Sequence, residues 1–128
     1  MCQLITVLPL FGILLIGAQV PQDKLQLREN RKAMKREILK HIPIGTEIEA
    51  AQTTMERNGF KCVRKNNGTF TEREPKGLVG APHGSLDFLY CDLEVPATEY
   101  CARRYQIAIV HKNGIVSEVL VSIGLICT

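Results

Sequence analysis

Three histidines, five cysteines and a handful of spaced carboxylates are the residues of this 128-residue chain whose types could do chemistry. His41 stands at the end of a charged segment, His83 in a glycine-rich stretch and His111 at the end of an apolar run. A cysteine nucleophile can draw on a histidine remote in sequence, yet no local nucleophile signature surrounds any cysteine here. A structural zinc site shows closely spaced ligand pairs, and Cys91 and Cys101 are too far apart for such a knuckle. Glu72 with Glu74, and Asp92 with Glu94, each share one face of an extended segment. An acid/base pair needs carboxyls that converge in unlike environments, and solvated strand edges account for these better. Gly84-Ser85 lacks a nucleophile elbow. No catalytic, metal-binding or cofactor-binding residue is assigned, and no cofactor is expected. The enzymatic alternative is a small hydrolase or metal-dependent enzyme that pairs His83 with a cysteine or a carboxylate.

Charge points elsewhere. The whole chain carries +3, whereas residues 23–41 hold seven basic side chains against three acidic ones, a net +4. Leu27, Met34, Ile38 and Leu39 give that segment one apolar face, so a helix over residues 23–41 is expected, ended by Pro43. Its basic face, with Arg28, Arg31, Lys32, Lys35 and Arg36, together with His83, forms the candidate interaction surface. The target would be an unknown protein partner or an anionic membrane surface. Nucleic acid is not expected, because no stacking aromatics are interleaved with the charges.

These side chains need a scaffold and a compartment. Leu4 to Ile16 is almost wholly apolar, has the length of an export-signal core, and is followed by Gly17 and Ala18. Residues 1–18 are therefore read as a signal peptide and residues 19–128 as one small domain, exported to the periplasm or secreted. The alternative keeps residues 4–18 as a membrane anchor. Four cysteines, Cys62, Cys91, Cys101 and Cys127, follow the signal, and an even count in an exported chain implies two disulfides with three pairings open. Cys101 precedes the last hairpin and Cys127 follows it, so the antiparallel return brings them together.

The scaffold reads as helix, helix, then strands. Thr46 and Glu49 have capping-box spacing. Ile48, Ala51 and Met55 line one face of the second helix, and Gly59 stops it. Phe60 to Lys65 reads as a strand, Asn66-Asn67-Gly68 as a turn and Thr69 to Arg73 as its hairpin partner. Asn67-Gly68-Thr69 is also a glycosylation sequon. Glu74 to Ser85 reads as a loop, Leu86 to Val95 as a strand, and Tyr105–His111 with Ile115–Ile123 as a closing hairpin. A two-residue Asn113-Gly114 turn would oppose Ile109 to Glu118. A three-residue turn that includes Lys112 would oppose Ile107 to Val119 and Tyr105 to Val121. The latter gathers the apolar side chains on one face and is favoured. The fold class is α+β, with two N-terminal helices packed on one face of a four- to five-stranded antiparallel sheet.

Ile42-Pro-Ile-Gly45-Thr46, the Glu-Ala-Ala helix, Gly59-Phe60 with its cysteine strand, and the final hairpin resemble the SmpA/OmlA-type (BamE-like) small lipoproteins. They also resemble single repeats of the β-lactamase inhibitory proteins, over about residues 42–122. The resemblance implies a fold of binding modules, with no catalytic residues. In the inhibitor repeats cysteines on adjoining strands are bridged, which implies Cys62–Cys91 here and leaves Cys101–Cys127. The chain departs from both patterns, since no lipid-attachment cysteine follows its apolar run and only one repeat is present. The expected function is a small, exported, non-enzymatic interaction module of the bacterial envelope or secreted fraction.

Overall fold

The computed structural model of the protein describes residues 24–128, so the signal or anchor assigned to residues 1–18 lies outside the described residues. The first helix, α1, is Arg31–His41, shorter than the sequence predicts. Asn30 is the reason. It is extended, and its side-chain oxygen accepts from Ala33 N–H at 2.8 Å, which caps the helix there. The residues before it lie back along α1 as a lead-in. Leu25 N–H donates to Asn58 Oδ1 (2.8 Å), Gln26 N–H donates to Glu37 Oε2 (3.1 Å), and Leu25 is buried. Lys24 and Arg28 are therefore not helical, and the basic face is split between the lead-in and α1.

The second helix, α2, is Ile48–Arg57 and buries Ile48, Ala51 and Met55 as their spacing predicts. Its start is not a capping box. Glu47 is the N-cap without a side-chain bond, and the Thr46 hydroxyl donates to the Pro43 carbonyl at 2.6 Å. Tertiary structure does the capping instead, since Ile48 N–H donates to the Gly114 carbonyl of the last hairpin (2.8 Å). Gly59, at φ +89°, turns the chain out of α2.

Six strands follow: β1 (Lys61–Phe70), β2 (Arg73–Glu74), β3 (Gly77–Leu78), β4 (His83–Pro96), β5 (Cys101–Lys112) and β6 (Ile115–Cys127). The main sheet has the order β1-β4-β5-β6 and is antiparallel throughout; β2 and β3 form a separate ribbon. The α+β class and the helices on one sheet face are as expected. The hairpin expected within residues 60–73 is not formed. Asn66-Asn67-Gly68 is a bulged stretch inside one long strand, with Asn67 at φ +52°, and β1 pairs with β4. A Cβ at Gly68 would sit 3.0 Å from the Phe88 ring, so glycine lets the bulge close on β4. The expected loop over residues 74–85 holds the end of β2, all of β3 and the start of β4.

The final hairpin follows neither expected register. Asn113 (φ +54°) and Gly114 (φ +78°) make a two-residue turn, yet Ile109 faces Val119, Ile107 faces Val121 and Tyr105 faces Ile123. A bulge between Val110 and His111 supplies the missing residue. The turn type and the clean apolar face are thus both satisfied, at the cost of one ladder irregularity.

Both sheet faces are used. Against the helices lie Leu89, Cys91, Tyr105, Ile107, Ile109, Val119, Val121 and Ile123, packed with Met34, Ile38, Ile48, Ala51 and Met55. On the other face Phe70, Phe88, Ala108, Val110 and Leu120 form a smaller cluster. The chain leaving β1 crosses that face. Phe70 packs edge-on against Phe88 (6.0 Å between ring centres), and two residues later Glu72 reaches the outer edge of β6, where it accepts from Val121 N–H at 3.2 Å.

Candidate functional site

The four cysteines among the described residues fall in two pairs. Cys101 and Cys127 are cross-strand partners on β5 and β6, joined by a disulfide with their Cα atoms 4.0 Å apart. Cys62 and Cys91 are directly opposite on β1 and β4, with Sγ atoms 2.8 Å apart as free thiols. They lie under α2, where Cys91 is fully buried and Cys62 half-buried. Burial pushes the Cys91 thiol far up, and its hydrogen-bonded contact with Cys62 adds to the shift, so Cys91 rests as the neutral thiol.

Glu72 organises the strap that crosses the sheet. Its carboxylate is 7% exposed and takes Arg31 Nη1 at 2.7 Å, Val121 N–H at 3.2 Å and His83 Nε2 at 3.4 Å. Arg31 also lies 3.5 Å from Glu74. Glu72 is therefore not the solvated strand-edge residue that its alternation with Glu74 implies. Oε2 takes both Arg31 and Val121 N–H and so holds the strap and the N-terminus of α1 to the β6 edge, while Oε1 faces His83. His83 meets this carboxylate on the strap side, while Cys91 is in the helix-side core. The structure therefore does not bring His83 and Cys91 together as a pair.

Two members of the expected interaction surface, Arg31 and His83, thus converge on Glu72 and are structural. Arg28 turns inward to Glu37 Oε1 (3.4 Å), a buried carboxylate that also holds Gln26 N–H and His41 Nε2 (3.1 Å each). Burial pushes the Glu37 carboxyl up, but these bonds and the charge of Lys40 outweigh it and hold it below its ordinary value. Lys32 and Arg36 are exposed and Lys35 half-buried. Arg28, Arg36 and Lys40 rim a cleft of about 310 Å³ floored by Glu37.

A feature that sequence reasoning missed lies at the opposite end of the sheet from the Asn113-Gly114 turn. There β4 passes to β5 through residues 97–100, and the turn is tightly built. Ala97 and Thr98 N–H both donate to the Cys101 carbonyl (3.0 Å each), the Thr98 hydroxyl oxygen accepts from Tyr100 and Cys101 N–H, and Thr128 N–H donates to the Tyr100 carbonyl. Held between this turn and the disulfide, Tyr100 is 65% exposed. Pro96, Ala102 and Ile126 form one cross-strand row beside it. With Glu94, Val95 and Glu99 they line an open recess of about 450 Å³. Leu125 and Ile126 are also exposed, so this end of β6 shows apolar surface to solvent. The nearest signal in the sequence is the lone Pro96…Tyr100-Cys101 connection, whose exposure only the disulfide and the strand ends decide. Farther along the same sheet face Arg104 grips Asp92 through two bonds (3.0 and 2.8 Å), which hold the guanidinium more firmly protonated than usual.

Among the described residues no group of histidine, cysteine and carboxylate side chains could hold a metal ion, and no helix is long and apolar enough to cross a membrane. The geometry defines a small α+β domain that shows an apolar recess beside Tyr100 at one end of its sheet. No family model, curated protein or solved structure matches the chain.

Proposed function

We propose that this protein is a small exported binding module of the bacterial envelope or secreted fraction, without enzymatic activity, related in layout to the SmpA/OmlA-type proteins and the inhibitor repeats. The observation that carries the reading is Tyr100, held out by a turn braced by bonds to the Cys101 carbonyl and the Thr98 hydroxyl, beside the apolar row Pro96, Ala102 and Ile126. Tyrosine offers large contact area at low entropic cost and is enriched where binding energy concentrates. The apposition of Cys62 and Cys91 on adjoining strands, where the resemblance puts a bridge, supports the same relation. Against the hydrolase alternative stands the engagement of His83 with Glu72, a carboxylate whose other oxygen already holds both Arg31 and Val121 N–H.

A photo-crosslinking residue placed at Tyr100, expressed in the native host, tests the reading. One protein should be captured from the envelope or secreted fraction, and the same probe at Lys112, on the far end of the sheet, should not capture it. Equal capture from both positions, or none from Tyr100, would refute the proposal.

A further inference from the structure

The two edges of the sheet are finished differently. Along β6, Val116 exchanges backbone bonds with Gly45 and Thr46 (2.9 and 2.8 Å), Ile115 bridges to Glu47, and Val121 N–H is taken by Glu72. Along β1, no strand pairs with the outer side among the described residues. From Lys61 to Lys65 its register with β4 is regular, and the bulges begin only after Lys65. These five residues therefore form a straight, open edge.

The side chains on that edge have a definite charge pattern. Alternation puts Lys61, Val63 and Lys65 on the face away from the helices, above Asp92, Tyr90 and Phe88 of β4. Val63 is 56% exposed, and Lys65 Nζ lies over the Tyr90 ring at 5.5 Å. The carboxylate of Asp92, the register partner of Lys61, is committed to Arg104 by two bonds. Arg64 points to the other face, where it meets Gln52 and Glu49 of α2. The open edge thus presents cation, apolar side chain, cation at alternate positions.

An unpaired edge is a template for another strand, and flanking charge decides which strand it accepts. A second copy of this chain fits badly. Antiparallel self-pairing about Val63 would put Lys61 opposite Lys65 twice, and like charges directly opposite are destabilising. We infer that β1 accepts an extended acidic segment of another protein, of the pattern Glu-x-Φ-x-Glu with Φ apolar, as a fifth strand of the sheet. Its carboxylates would face Lys61 and Lys65 and its apolar residue would face Val63. Backbone bonds would supply the affinity and the three alternate side chains the choice of partner. This surface is separate from the Tyr100 recess, so either can fail without the other.

The test is a titration of the full-length, isotope-labelled chain with two peptides, Thr-Glu-Thr-Val-Thr-Glu-Thr and its counterpart with Lys in place of Glu. The acidic peptide should shift the amide resonances of residues 61–65 and bind at least about tenfold more tightly than the basic one. Salt should weaken it, because both lysines are exposed. The Lys61→Glu/Lys65→Glu double variant, which changes only exposed side chains, should reverse the preference. Equal binding of the two peptides overturns the inference. So does no binding of the acidic peptide at millimolar concentration, a shift pattern centred away from β1, or an unreversed preference in the double variant with an unchanged circular dichroism spectrum.

Discussion

Removing the Glu72 carboxylate should cost far more than its position in a charged strap implies. In Glu72→Ala, Val121 N–H loses its acceptor in a buried setting, which costs about 1–3 kcal/mol. Arg31, 11% exposed, loses the nearer of its two carboxylates but keeps Glu74 at 3.5 Å. The loss is therefore smaller than the roughly 3–5 kcal/mol of a wholly buried pair broken on one side. Together these give about 3 kcal/mol. Glu72→Gln keeps the shape and one good acceptor and should cost roughly half as much. Urea unfolding followed by circular dichroism reads both. With a slope of about 1–1.5 kcal/mol per molar for a domain of this size, Glu72→Ala should lower the midpoint by about 2–3 M. Glu94→Ala, an exposed carboxylate change on the same sheet, should stay within about 0.5 kcal/mol of the parent. If Glu72→Ala and Glu94→Ala share one midpoint, the strap is not fastened to β6 by Glu72 and the reasoning fails.

Three further outcomes are expected. Exposed to a disulfide donor such as oxidised glutathione, Cys62 and Cys91 should close to a second bridge, releasing two thiols from the donor; non-reducing peptide mapping should then show Cys62–Cys91 beside Cys101–Cys127, and a Cys62–Cys127 peptide would disprove the strand order. Because the Glu37 carboxyl is held low in the folded state, its contribution is complete above its unfolded pKa of about 4.3 and is lost as pH falls through the lower folded value. Glu37→Gln should accordingly be less stable at neutral pH and converge on the parent in acid, and a constant gap across acid melts would contradict this. Gly114→Val should cost more than Gly114→Ala, since an added Cβ meets nothing there and only the left-handed backbone is at stake; equal urea midpoints would exclude that origin.

The parts of the fold that were legible in sequence are those decided locally. The α2 face of Ile48, Ala51 and Met55, the Gly59 stop and the Asn113-Gly114 turn each depend on neighbours within a few residues. The Cys101–Cys127 bridge was legible for the same reason, because one hairpin joins the two strands. What failed depends on distant partners. Residues 24–30 look helical by composition, but Asn58 and Glu37 hold the Leu25 and Gln26 N–H groups outside any helix, and Asn30 caps the helix behind them. Thr46 has a capping residue's spacing, yet its hydroxyl turns back to the Pro43 carbonyl, and a first-turn donor, Ile48 N–H, is served by Gly114 from a hairpin far along the chain. Asn66-Asn67-Gly68 reads as a turn until β4 offers a longer partner. The candidate site fared worse. Basic residues are easy to count, but Arg31 and His83 are spent on Glu72, a contact that no spacing rule relates to either. Tyr100 was invisible as a site because its exposure is set jointly by the disulfide, the C-terminal Thr128 bond and the turn at Thr98.

The most direct test of the binding-module account is the affinity of the protein captured at Tyr100 for the purified parent chain and for its Tyr100→Ala variant. An anchor residue of this kind contributes about 2 kcal/mol or more, so the variant should bind about thirtyfold less tightly while its stability to urea stays within about 0.5 kcal/mol of the parent. An affinity unchanged by Tyr100→Ala would contradict the account, because the recess beside Pro96, Ala102 and Ile126 would then not be where the partner is held.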